Sequence, residues 1–273
     1  MAPPASGSTF VYIELAHALG KDQPFYALQA LGLDGQAPVD LTVEDMARHY
    51  VDAIRTVQPH GPYHLAGFSF GALVAYEMAV QLAEAGEHLG LVALLDEPAP
   101  IDGYRPSLWL MAKLIASGSR SALRPLLQDY LYLVDESKAG SGQGLASRGV
   151  ELVRRFVGRS AIASFVPSDS RLLAMRQPAM SALAELYLLH CRLTLSYEPR
   201  AYPYKLTLFK ATDIAGARGR DRTQGWRMLA AGGVDVHRVQ GDHMTMLRHP
   251  NVVSLAARIA ACLRATQDEH DQP

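Results

Sequence analysis

The sequence predicts an α/β fold: a mostly parallel central sheet with helices on both sides, broken by one helical insertion. Three observations predict it. Stretches of strand length alternate with helical periodicity up to about residue 98 and again from residue 205. One of those strands, Leu89 to Leu95, is apolar throughout, as a strand covered on both faces must be. Between Ile101 and Pro203 strand signals vanish and helical segments take their place.

The elements follow in order. Thr9 to Leu19 reads as a helix that is apolar almost all round, ended by Gly20. Pro24 to Ala30 has the aromatic and aliphatic make-up of a short strand, and Gly32 to Pro38 is a turn-rich loop. Thr42 opens a helix with Asp45 three residues on, close to a capping box. Val43, Met46, Ala47, Tyr50, Val51, Ile54 and Val57 fall on one stripe of that helix, and Pro59 and Gly61-Pro62 stop it. Tyr63 to Ala66 is a short buried strand that runs into a tight turn and a helix ending near Gly86. After Leu89 to Leu95 the insertion carries helical segments at about Ser107–Ala116, Ser121–Val134, Leu145–Val157 and Pro178–Tyr197, with flexible Gly/Ser joints between some of them. Lys205 to Lys210 and Val234 to Val239 alternate with period two and read as strands, the second near a sheet edge. Gln224 to Ala231 reads as a short helix and Pro250 to Leu263 as a terminal one. The whole is one domain over residues 1–273, with its core in 1–100 and 203–273 and a helical lid at about 101–202. The insertion leaves the sheet at its catalytic side, which favours a lid over a subdomain that only adds core.

Composition narrows the function. The 273 residues are 49% hydrophobic and 19% charged, so the chain is globular. A net charge of −1 gives no electrostatic footprint for nucleic acid. No apolar run approaches the about 20 residues that span a bilayer, so no membrane partner is expected. The start has no basic region followed by an apolar stretch, so no secretory signal is read there. The two cysteines, Cys191 and Cys262, form no C-x-x-C pair and fit a reducing, cytoplasmic setting as small buried residues.

The chemistry centres on Gly67-Phe68-Ser69-Phe70-Gly71, which fits G-x-S-x-G between a strand and a helix. That context makes Ser69 the candidate nucleophile, on a strained turn with its hydroxyl exposed and a helix N-terminus aimed at it. The bland alternative is a serine that merely caps the helix. Gly67 and Gly71 are small because backbones pass close on either side of the turn. A serine hydroxyl needs a base, and the base needs a group to hold it. His243 lies in a loop after a late strand, where such a base belongs; among the ten histidines His237, in that strand, is the serious rival. His17, His49 and His88 read as solvent-facing, and His64 as a core residue. For the acid, Asp96 and Asp213 both follow strands and position favours Asp96, whereas Asp242 is too near the base in sequence. The order Ser69, Asp96, His243 matches that of α/β-hydrolases. Two backbone N–H groups would form the oxyanion hole: that of Phe70, and one from the Pro3-Pro4-Ala5-Ser6-Gly7 loop, where Ala5 is the first free donor after the prolines.

These residues bring a family into view. Gln23-Pro24-Phe25-Tyr26-Ala27-Leu28-Gln29-Ala30, Gln58-Pro59-His60-Gly61-Pro62-Tyr63, the Ser69 elbow, Leu94-Leu95-Asp96-Glu97-Pro98 and Gly241-Asp242-His243-Met244-Thr245-Met246-Leu247 resemble the thioesterase domains that end nonribosomal peptide synthetases and hybrid polyketide assembly lines. The resemblance implies an α/β-hydrolase fold with a variable lid, and it moves the acid firmly to Asp96. It implies release of an acyl or peptidyl chain from the phosphopantetheine of a carrier protein, through an ester on Ser69. Water would release an acid, and an internal hydroxyl or amine would release a ring. No metal and no bound organic cofactor are implied. Three departures stand out. Members usually begin with a strand that would end at Met1, which implies a cut from a longer protein or a mis-set start. Pro3 stands where many carry His, and Ala72 replaces a common Gly. A free-standing editing thioesterase, a simple carboxylester hydrolase and a hydrolase-fold binding protein without activity are the other functions to weigh. Arg218, Arg220 and Arg222 form a charged loop that could meet an acidic carrier or simply be solvated.

Overall fold

The computed structural model describes residues 1–32, 41–102, 104, 186–187, 189–212 and 221–270. Most of the expected insertion, the loop after Gly32, Asp213, Arg218 and Arg220 lie outside the described residues. A 3-10 turn at Thr9–Tyr12 leads into α1 (Ile13–Leu19). Then come α2 (Val43–Val57), β1 (Tyr63–Phe68), α3 (Phe70–Glu84), β2 (Leu89–Leu95), β3 (Leu206–Ala211), β4 (Val234–Val239) and α4 (Asn251–His270). Thr42 caps α2 as its sequence predicts: its hydroxyl accepts from the Asp45 N–H, and the Asp45 carboxylate accepts from the Thr42 N–H.

The described strands lie in the order β1-β2-β3-β4, and each neighbouring pair is parallel. Alternate residues serve opposite faces. Val92 and Leu94 of β2, with Leu65 of β1 and Leu206 and Leu208 of β3, pack with α2 and α3. Leu91, Ala93 and Leu95, with Phe68, Phe209 and Ala211, pack with α1 and α4. This is why β2 carries no polar residue. The helix α3 is buried nearly all round, from Phe70 to Leu82, and fills the space between the sheet and α2. Among the described residues no helix is long and apolar enough to cross a membrane.

The structure corrects the sequence at three places. Pro24–Ala30 forms no strand. Its backbone makes a few isolated bonds to the chain start (Met1 N–H to Tyr26 O, 2.7 Å; Leu28 N–H to Met1 O, 2.9 Å; Ala30 N–H to Gly7 O, 3.2 Å), and Phe25 and Leu28 pack against the core while Tyr26 stays exposed. The expected helix at 224–231 shrinks to a 3-10 turn, Trp226–Met228, because Gly225 and Gly233 take left-handed φ of 89° and 85° on either side. His64 is exposed rather than buried, its ring lying over Gly90. Where the insertion rejoins the core, a helix at 189–196 packs Leu193 onto the α2–α3 side, followed by Tyr197 and Tyr202.

Candidate active site

The site begins with backbone geometry. Ser69 sits at φ 54°, ψ −133°, a conformation non-glycine residues rarely adopt. Holding it there costs on the order of 1–3 kcal/mol. The turn is pinned by Ser69 N–H to Leu95 O (3.1 Å) and Ala72 N–H to Ser69 O (2.7 Å). A Cβ at Gly67 would fall 1.9 Å from Gly71 O, so the strand and helix backbones leave room only for glycine. A Cβ at Gly71 would meet Ala2 O at 2.7 Å and Pro3 O at 2.8 Å. That second glycine therefore seats the N-terminal loop on the elbow. The Ser69 side chain makes no capping bond to α3, so the serine is not there as a helix cap.

Asp96 follows β2, next to the elbow, since Phe68 and Leu95 are register partners. It too has a positive φ, 52°. Its side chain is buried and fully employed: Oδ1 accepts the Ala211 N–H at 2.9 Å, and Oδ2 lies 2.9 Å from Nδ1 of His243. His243 comes from the turn after β4. Asp242 shapes that turn, its Oδ1 accepting from the Met244 and Thr245 N–H groups (2.9 Å each) and the Thr245 hydroxyl (2.8 Å). Met246 and Leu247 anchor the turn in the core. The His243 ring stacks on Phe68, the residue before Ser69, with centroids 4.6 Å apart. Burial disfavours its charged form, but the Asp96 hydrogen bond and the charges of Asp96 and Glu97 outweigh this and raise its pKa above the ordinary histidine value. Burial pushes the neighbouring Glu97 carboxyl up to about 7.

The N-terminal loop supplies the rest. Ala2 pairs with Gly67 in a parallel bridge, and Ala2 N–H donates to Ala66 O at 2.8 Å. The buried Tyr12 hydroxyl donates to Ala2 O (2.6 Å) and accepts from Phe68 N–H (3.3 Å), fastening this segment to the elbow strand. Ala5 stands in the turn that follows, closed by Gly7 N–H to Pro4 O at 2.9 Å. Phe70 opens α3, so its N–H has no intrahelical acceptor.

The structure thus brings together the elbow, Asp96, His243 and the Ala5 loop at one end of the sheet. His237 is elsewhere, stacked on Phe209 and beside Cys262 Sγ. Asp242 is spent on its own turn. Burial pushes the Cys191 thiol up to about 11, which keeps it protonated. An apolar trough of about 460 Å³ beside β1 is lined by residues such as Phe25, Leu28 and Leu65, and Ser69, Asp96 and His243 are not among its lining. Among the described residues no group of His, Cys, Asp or Glu is placed to hold a metal ion. One residue the sequence did not flag is His190. It is buried against the Ala5 loop, 185 positions away in the chain, and lies in no motif that would have pointed to it.

Comparison with known proteins gives the family. The sequence profile described as Thioesterase domain matches residues 1–262. Chondramide synthase cmdD from Chondromyces crocatus is 31% identical over 262 residues, which are 90% of this chain and 6% of that protein. The chain therefore spans only a small part of the length of the curated relatives it matches. The NocB thioesterase domain, crystallised as a covalent complex with a fluorophosphonate nocardicin G analog, aligns with a TM-score of 0.62 at 25% identity, covering 95% of this chain and 91% of that one. Holo-AB3403, a four-domain nonribosomal peptide synthetase bound to AMP and glycine, aligns with a TM-score of 0.68 at 25% identity, covering 99% of this chain and 19% of that one. The parallel sheet with flanking helices is the α/β-hydrolase fold of these thioesterase domains.

Proposed function

Because the chain belongs to the thioesterase domain family, we propose that it releases an acyl or peptidyl chain from the phosphopantetheine thioester of a carrier protein, by way of an ester on Ser69. One observation carries this: the 2.9 Å contact between Asp96 and His243, set beside the strained Ser69 turn.

The chemistry follows from the atoms. Asp96 accepts from Nδ1–H of His243, so Nε2 keeps its lone pair for the Ser69 proton. Ser69 Oγ attacks the thioester carbonyl, and its proton passes to Nε2. The negative oxygen of the tetrahedral adduct is received by the N–H groups of Phe70 and Ala5. The C–S bond then breaks, His243 returns the proton to the sulfur, and the chain is left as an ester on Ser69. A second nucleophile, water or a hydroxyl or amine of the bound chain, gives up its proton to His243 and attacks the ester carbonyl; the C–O bond to Ser69 then breaks, His243 returns the proton to Ser69 Oγ, and the product is free. Protein groups alone carry the scheme, and the carrier brings the only prosthetic arm. Which of these nucleophiles reaches the ester depends on how far bulk water is kept from it.

The test is turnover of a carrier-loaded thioester with product analysis by mass spectrometry. The wild-type protein is expected to release the chain as an acid or a ring. Ser69→Ala is expected to lose about 10⁴-fold or more in rate. Full-rate release by Ser69→Ala would remove the proposal, and a preference for acetyl-loaded over long-chain carriers would turn it towards editing.

A further inference from the structure

Between the two oxyanion donors lies a residue that the release scheme does not use. His190 is wholly buried, in the helix where the insertion rejoins the core. Its Nδ1 is 2.9 Å from the carbonyl oxygen of Ala5. Its ring stacks on that of Phe70, with centroids 4.3 Å apart and planes 14° from parallel. Its Nε2 is buried with no hydrogen-bond partner among the described residues. We propose that His190 is a positioning residue for the oxyanion hole, which holds the Ala5 loop through its Nδ1–H and the start of α3 through its ring. The inference rests on the thioester-release reading and deepens it.

A carbonyl oxygen can only accept, so the proton of the His190–Ala5 bond belongs to Nδ1. Burial holds the His190 pKa down to about 4, so the ring stays neutral in this tautomer near pH 7. Two peptide planes meet at the Ala5 α-carbon. The first contains the Pro4 carbonyl and the Ala5 N–H, which point in opposite directions across a trans peptide. Gly7 N–H grips that carbonyl from one side. The second plane contains the Ala5 carbonyl, and His190 grips it. With both planes fixed, the Ala5 N–H has one direction left. The other donor, Phe70 N–H, belongs to the residue whose ring lies flat on the same imidazole.

Packing alone does not explain a histidine here. A phenylalanine would stack on Phe70 equally well and would remove the unpartnered Nε2, a buried lapse that costs stability, but it would release the Ala5 carbonyl. The polar bond to Ala5 is what the histidine adds.

The two roles separate in His190→Phe. A positioning role predicts a melting temperature close to wild type, because the loss of the Ala5 bond is offset by removal of the unpartnered Nε2, with kcat reduced about 10- to 100-fold and KM little changed. The loss is smaller than the 10²–10³ typical of deleting an oxyanion donor outright, because the donor is displaced rather than removed. Binding of a boronic acid that forms a tetrahedral anion on Ser69 is expected to weaken by a similar factor. His190→Asn puts an N–H at the position of Nδ1 and is expected to recover part of kcat. A His190→Phe protein within threefold of wild type in kcat and in boronate affinity overturns the inference, as does a loss of activity that follows a loss of melting temperature and is not recovered in His190→Asn. Ser69→Ala, assayed alongside, keeps the failures apart. Full activity there would end the release reading itself, whereas an inactive Ser69→Ala beside a normal His190→Phe would end only this inference.

Discussion

Asp96→Asn is expected to lower kcat about 10⁴-fold and leave the fold almost untouched. Two features of Asp96 explain why both halves hold. Its Oδ1 accepts the Ala211 N–H at 2.9 Å, and an asparagine oxygen can do the same, so the strand end keeps its bond. Its Oδ2 faces Nδ1 of His243 at 2.9 Å, and there an amide N–H₂ would sit as a donor. The imidazole would then turn its proton to Nε2, where it cannot take one from Ser69. The pH dependence has a definite sign. In the wild type the His243 pKa lies above the ordinary histidine value, so the acid limb of kcat/KM, which reports loss of the neutral base, falls at correspondingly higher pH. Removing the carboxylate removes both the hydrogen bond and the charge that raise it, so the residual activity should show its acid limb at lower pH. The same linkage applies to stability: the raised pKa stabilises the folded state below the unfolded histidine pKa of about 6.5, and this contribution is lost as pH rises through the folded value. Asp96→Asn should therefore cost more stability in acid than at neutral pH. An unchanged kcat, or an acid limb that does not move, would contradict the assignment.

Arg200→Ala should have the largest effect on stability, about 3–5 kcal/mol. The reason is Glu77, whose side chain is 0% exposed in the middle of a largely apolar helix. Its carboxylate accepts from Arg200 Nη2 at 2.6 Å, the Tyr197 hydroxyl at 2.7 Å and Gln81 Nε2 at 2.9 Å. Arg200 also reaches Glu84, at the exposed end of α3. Without the guanidinium, Glu77 is a buried charge with only neutral donors. Arg200→Lys keeps a charge but not the fork that spans both carboxylates, and should fall between. Thermal melting reads the series. For a domain of this size the alanine variant should melt on the order of 10 °C lower. Near-wild-type melting would mean that the pair is not what ties the 197–200 segment to α3.

Legibility in the sequence followed how local each feature is. Ser69 was visible because its strain, its flanking glycines and its helix are contiguous. Asp96 and His243 were visible because strand ends are places where a parallel sheet collects polar groups. Glu77 looks like an error in an apolar helix until Arg200 arrives 123 residues later. His190 gave no local signal, since everything that makes it distinctive is contributed by Ala5 and Phe70. The misread 24–30 and 224–231 stretches failed for a related reason. Their apolar composition marks some inward residues, such as Leu28 and Trp226, but Tyr26 and Met228 face solvent at 64% and 67% exposure, and whether such a stretch becomes strand, helix or turn was decided by neighbours and by glycine φ values that composition does not carry.

The central claim is that Ser69 carries the chain between carrier and product. It is tested most directly by reacting the protein with a slowly released acyl thioester, or a fluorophosphonate analogue, and mapping the modified peptide by mass spectrometry. The expected result is a single adduct on Ser69, absent from Ser69→Ala and formed much more slowly in Asp96→Asn. An adduct on another residue, or none while thioester turnover continues, would contradict it.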